Sequence, residues 1–192
     1  MSNRPTTVKH VDTLDTHTLT YLQKYSGRVQ LPIRPIHTTH PNNIVAEAIA
    51  AGRVAALDGY ESLRREVRYG KNSRIDLLLE TPGAPPCYVE VKNVHYCRHA
   101  ERAEFPDSVT QRGTKHLREL AAIAENGGRA VMLYLVQRAD CRSLTLAADI
   151  DPDYAAAFVQ ARESGVEALS YDCRLSRRDI TLANPLPVEY PL

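Results

Sequence analysis

The sequence has no tryptophan, two phenylalanines and only four cysteines among 192 residues. Cys87, Cys97, Cys141 and Cys173 show no C-x-x-C pairing and no dense framework, which excludes a disulfide-stapled scaffold. No apolar run is long enough to span a bilayer, and no signal peptide is evident. The expectation is therefore a cytoplasmic protein with reduced thiols and no membrane partner. A formal net charge of +1 carries no global signature of nucleic-acid binding, so any such surface must come from local clustering. Internal repeats and long charge blocks are absent as well. What remains is ordinary globular composition, with enough length for one good core and a small appendage.

Against that plain background, residues 73–93 stand out. Ser-Arg-Ile-Asp-Leu-Leu-Leu-Glu and Cys-Tyr-Val-Glu-Val-Lys-Asn flank a Pro/Gly-rich turn, and both halves have the pattern of short strands. Asp76 interrupts the first run on the face opposite Ile75, Leu77 and Leu79. Tyr88, Glu90 and Lys92 share one face of the second. A hairpin would set Asp76 beside Glu90 and Lys92. Two carboxylates and a lysine on apolar strands are costly to bury without a partner or a task. An Asp followed on the next strand by Glu-x-Lys resembles the PD-(D/E)xK nuclease superfamily. The resemblance implies that Asp76 and Glu90 hold a divalent metal, with the Val91 carbonyl between them. It also implies that Lys92 positions or activates the attacking water. Hard oxygen donors suit Mg²⁺ or Mn²⁺ better than zinc. On spacing alone the pattern is weak, because Glu-x-Lys is common on half-exposed strands, where it is simply a solvated face or a cross-strand ion pair.

Longer stretches narrow the choice. Arg65-Glu-Val-Arg-Tyr-Gly-Lys-Asn-Ser-Arg-Ile-Asp, Pro-Cys-Tyr-Val-Glu-Val-Lys-Asn-Val and Phe105-Pro-Asp-Ser-Val-Thr-Gln-Arg-Gly-Thr-Lys-His-Leu-Arg-Glu-Leu resemble the sugar fermentation stimulation (SfsA) family. Asp149-Ile-Asp-Pro-Asp-Tyr and Pro185-Leu-Pro-Val extend the match, which runs from about residue 42 to the C-terminus. The resemblance implies an N-terminal OB-like domain joined to a PD-(D/E)xK domain, with DNA as partner. Five OB strands need more than the ~35 residues that precede Ile36. Residues 1–35 are thus expected to be an extension or a remnant of that domain, and residues 36–192 the nuclease-like domain.

The rest of the chain supplies a coarse α/β plan. Pro41-Asn-Asn opens a helix with an asparagine cap, and Gly52 stops it. Its buried stripe is Ile44, Ala48 and Ala51, widened by Val45 and Ile49, with Glu47 at the edge. Superfamily likeness makes Glu47 an auxiliary ligand or base, while a surface role fits as well. A strand at 64–69 follows, on which Glu66 is a second-tier candidate. Arg74 shares a face with Asp76 and could contact phosphate or neutralise the acid. His95-Tyr-Cys-Arg-His99 offers at most three zinc ligands, so a loop near the site mouth is the preferred reading. A helix begins at Pro106-Asp-Ser with Ser108 and Gln111 as a capping box and Val109, Gly113, Leu117, Leu120 and Ala124 as its packing stripe. Within it Gly113 implies a close backbone approach. Arg112, Lys115 and His116 on this helix are candidate phosphate contacts, equally readable as an ordinary basic face. A doubly buried strand at 129–138, a helix from Asp151-Pro-Asp and edge strands at 166–174 and 180–182 complete the order. The fold expected is a restriction-endonuclease-like αβββαβ core, with a mixed central sheet flanked by helices.

Three functions compete at this point. One is a Mg²⁺- or Mn²⁺-dependent nuclease acting on DNA, using Asp76, Glu90 and Lys92. Another is a non-catalytic DNA-binding regulator of sugar (maltose) metabolism. The last is an interaction module with a buried ion network. Homo-oligomerisation is left open by the sequence.

Overall fold

The computed structural model describes residues 41–69, 73–176 and 179–190. The expectation for residues 1–35 lies outside them. Helix α1 (Pro41–Ala50) comes first, and Gly52 ends it with φ +65°. Its apolar side, with Ile44, Val45 and Ala48, is buried, whereas Ala51 is exposed beyond the last turn. A 3-10 turn (Ala55–Leu57) leads into β1 (Ser62–Tyr69), β2 (Ser73–Glu80) and β3 (Cys87–Val94). After β4 (Tyr96–His99) and β5 (Arg102–Phe105) come α2 (Gln111–Glu125), β6 (Arg129–Val136) and β7 (Ser143–Leu146). Helix α3 (Pro152–Glu163), β8 (Glu167–Leu175), β9 (Ile180–Pro185) and β10 (Val188–Glu189) follow.

Six strands form a mixed sheet in the order β1-β2-β3-β6-β8-β9, parallel across β3, β6 and β8 and antiparallel outside them. The expected helix–three-strand–helix–strand order is present around this sheet. Strand β6 is apolar on both faces, as a central parallel strand must be. Val131, Leu133 and Leu135 pack toward α1, while Met132, Tyr134 and Val136 pack toward α2 and α3. Strand β8 was expected at an edge; it lies inside the sheet, with β9 outside it.

A second, four-stranded sheet (β10-β7-β5-β4) was not foreseen. The 95–99 run, read as a loop, is largely its strand β4. Strands β4 and β5 are short and carry charged residues, and β7, Ser-Leu-Thr-Leu, alternates over only four positions, so the periodic signal is weak. Their buried charge is paired instead: Glu104, 2% exposed, is held by Arg98, which also bonds Asp149 at 2.5 Å.

Helix α2 begins later than the capping-box reading required. Thr110 is its N-cap, accepting from the Gly113 amide at 3.1 Å, and Val109 is exposed rather than packed. Gly113 is explained by proximity: a Cβ there would lie 2.8 Å from Thr110 Cγ2 and 3.0 Å from a Tyr154 ring carbon. One buried carboxylate fastens both helix starts. Asp151 accepts from the Tyr154 amide at 2.9 Å, capping α3, and from the Thr110 amide at 2.7 Å. Replacing Asp151 with alanine removes both bonds, and urea unfolding should show a loss of about 1–2 kcal/mol. An unchanged midpoint would mean that the helix starts hold without it.

Candidate active site

The site forms where β2 and β3 part. Their antiparallel register ends at Leu77 opposite Val89. Beyond that point the Asp76 carboxylate takes the next backbone donor, accepting from the Val91 amide at 2.8 Å. Side-chain alternation also reverses here. Leu77 and Leu79 join the core against α1, but Ile75 joins the core under α2. Asp76 is therefore not simply opposite Ile75, Leu77 and Leu79, but sits at the crossing between the two faces. On the neighbouring strand Glu66 has φ +52°, which accommodates the same reversal in β1. A left-handed conformation costs an L-residue about 1–2 kcal/mol. Glu66→Gly should therefore raise unfolding stability by about 1 kcal/mol in a denaturant titration. A destabilised variant would show that the Glu66 side chain contributes more than its backbone strain subtracts.

Glu90 projects from β3 toward α2 and is 3% exposed. Its Oε1 receives Lys92 Nζ at 2.8 Å and pairs with His116 Nδ1. Lys92 Nζ is also 3.2 Å from His116 Nδ1. Arg112 Nε donates to His116 Nε2 at 3.4 Å, which leaves the Nδ1 proton facing Glu90. The other oxygen, Glu90 Oε2, is buried and has no hydrogen-bond partner. A buried carboxylate oxygen left in this way is expensive unless something else engages it.

The two acids respond oppositely to their surroundings. Burial, then the nearby negative charge of Glu90, pushes Asp76 up to about 6, against hydrogen bonds from Val91 and Asn42. Burial also works to raise Glu90, but the His116 bond and the Lys92 charge outweigh it and hold the group below its ordinary range. A pair of adjacent carboxylates, one destabilised as an anion, is an arrangement that a cation relieves. The donor set fits a hard divalent ion that takes two carboxylates and completes its shell with water. Among the described residues no three His, Cys, Asp or Glu side chains converge on one point, so the protein donors would be few.

The structure thus brings Asp76, Glu90, Lys92 and Val91 together, with Val91 contributing its amide to Asp76. It also places His116, read as a phosphate contact, inside the cluster, where it is buried against Glu90. Arg112 and Lys115 remain on the exposed side of α2, Lys115 pairing with Glu119 at 3.5 Å. Arg74 is exposed on β2 and pairs across strands with Arg68. Glu47 is exposed on α1, and the α1 side chain that reaches the site is Asn42 instead. Its Nδ2 donates to Asp76 Oδ1 at 2.8 Å and to Glu66 Oε1 at 3.3 Å. Asn42 follows Pro41 at the helix start, where an asparagine reads as a cap, so its attachment to Asp76 left no sequence signal.

Comparison with known proteins places this arrangement in a lineage. Residues 39–179 match the family profile described as the sugar fermentation stimulation protein RE domain. A sugar fermentation stimulation protein homolog from Paramagnetospirillum magneticum is 60% identical over 154 residues, covering 80% of this chain and 65% of the relative. One from Jannaschia is 54% identical, covering 86% of this chain and 71% of the relative. The chain therefore spans about two thirds of the length of such relatives. Among solved structures, Pyrococcus furiosus SfsA in complex with Ca²⁺ has a TM-score of 0.75 and 28% identity, covering 82% of this chain and 68% of that one. The chain belongs to the sugar fermentation stimulation protein family.

Proposed function

We propose that this domain is a Mg²⁺- or Mn²⁺-dependent phosphodiesterase acting on DNA, with its reacting centre at Asp76, Glu90 and Lys92. The observation that carries the reading is the unpartnered, buried Glu90 Oε2 beside an Asp76 whose burial disfavours its charge. Asp76 and Glu90 would hold the ion, and a relative bearing Ca²⁺ agrees with oxygen donors of this kind. When bound, the ion supplies stabilisation of negative charge on the scissile phosphate. Lys92, anchored 2.8 Å from Glu90, would orient the attacking water and donate to a phosphate oxygen. His116 holds the Glu90 carboxylate from the helix side, fixing the direction in which Oε2 points. Arg112, Lys115 and Arg74 are exposed and suited to backbone phosphates.

A second reading, a DNA-binding regulator without turnover, draws on Lys92 and His116 already compensating Glu90. The two part on cation binding. Calorimetric titration with Mn²⁺ should find one ion per chain, lost in Glu90→Gln. Absence of binding to the parent protein would remove the metal-dependent reading.

A further inference from the structure

A cleft opens on the same side of the main sheet as the Glu90–His116 pair, one step further along both β3 and α2. Its volume is about 550 Å³, the size class of small-ligand sites, and it is lined by Tyr69, Tyr88, Pro86, Glu119, Ile123 and Gly128 among others. Tyr88 shares a face with Glu90 two residues on, a Cα spacing of about 6.6 Å. Glu119 follows His116 by three residues, on the same side of α2. The cleft thus lies beside the acid cluster on the same face, and Tyr88 and Glu119 are its lining residues nearest in sequence to Glu90 and His116.

Its chemistry is specific. The Tyr69 and Tyr88 rings lie 6.0 Å apart at 55°, and both side chains are only partly buried. Behind them the wall is tight, since a Cβ on Gly128 would meet Ile123 Cγ2 at 2.7 Å. Among the lining side chains Glu119 carries the charge, and Asn126 is a further polar group. The Glu119 carboxylate accepts from Tyr69 Oη at 3.0 Å and from Ser73 Oγ. Burial works to raise Glu119, but the Ser73 and Tyr69 bonds and Lys115 hold it below the usual carboxylate range. It is therefore an ionised acceptor with lone pairs to spare. Lys115 lies 3.5 Å from it, with its own side chain exposed.

We propose that this cleft is a subsite for one unpaired nucleobase of the strand whose phosphate lies at Asp76 and Glu90, which makes the substrate single-stranded or locally opened nucleic acid. The inference rests on the phosphodiesterase reading and adds the substrate class to it. Aromatic rings stack on any base, and such stacking is worth about 1–3 kcal/mol per base. A carboxylate acceptor adds a preference for bases with an exocyclic amino group, cytosine, adenine or guanine, over thymine. A base in a duplex cannot enter unless it leaves the stack.

The test uses the full chain in EDTA, so that binding is read without cutting. The probe is a single-stranded dodecamer with one 2-aminopurine, compared with its duplex and with the same strand carrying an abasic site. The parent should change the 2-aminopurine emission and bind the single strand more tightly than the duplex. Tyr88→Leu should lower single-strand affinity about tenfold, within the stacking range. The abasic strand should lose as much against the unaltered protein, which keeps the test valid even if Tyr88→Leu folds poorly. Glu119→Gln should erase the preference for cytosine over thymine at the probed position. Equal binding of intact and abasic strands, or of single strand and duplex, would overturn the subsite. Cutting in Mg²⁺ that ignores the abasic site would remove the subsite and keep the nuclease. Base stacking without cutting in any metal would keep the subsite and remove the nuclease.

Discussion

Lys92→Ala should lower single-turnover DNA cleavage about 10³-fold, the scale of a proton-handling or water-orienting group, while Mn²⁺ affinity stays within a few-fold of the parent. The reasoning follows from where each atom sits. Lys92 Nζ touches Glu90 Oε1, yet the unpartnered oxygen is Oε2, and Asp76 is fixed by Val91 and Asn42. Removing the lysine therefore leaves both carboxylates placed, with His116 still holding Glu90. A variant that binds no Mn²⁺ would show that Lys92 organises the acids rather than the reaction. A variant that cuts normally would show that the lysine is only a neutralising partner.

Stability of the metal-free protein should fall as pH rises from about 4 to about 6, and Asp76→Asn should abolish that part of the fall. The folded state holds Asp76 at about 6, against 3.8 for the free side chain. Between those values the folded chain keeps a proton that the unfolded chain has released, so raising the pH favours unfolding. Above pH 6 the full cost is present, about 3 kcal/mol at most. Asp76→Asn should therefore be more stable than the parent at pH 8 and nearly equal to it at pH 4, in urea titrations. Saturating Mn²⁺ at pH 8 should narrow the gap by stabilising the parent alone. A less stable asparagine variant at pH 8 would mean that the Asp76 bonds outweigh its desolvation.

Much of this was legible because the strongest periodic signals lie where the site is built. The apolar runs around Asp76 and Glu90, and the unbroken β6 stretch, led to the central sheet without any tertiary information. What could not be read depends on contacts between distant residues. The face reversal at Asp76 arises because β2 and β3 separate there, which alternation alone cannot encode. His116 looked like part of a basic helix surface, since nothing local shows that Glu90 lies 26 positions away across the helix–sheet gap. Strands β4 and β5 of the second sheet are stabilised by pairs such as Arg98 with Glu104, so they lack the apolar run that betrays a buried strand. Thr110 displaced the Ser108 cap because Asp151, 41 residues on, fixes the Thr110 amide.

The central claim is that Asp76, Glu90 and Lys92 form a reacting centre rather than a buried ion network. The most direct measurement is cleavage of labelled single-stranded, double-stranded and branched DNA by the purified chain in Mg²⁺, Mn²⁺ or EDTA, with Asp76→Ala run beside it. The account predicts metal-dependent cutting by the parent, none in EDTA and none by Asp76→Ala. Equal cutting by parent and variant, or no cutting by the parent with any of the three DNAs, would contradict it.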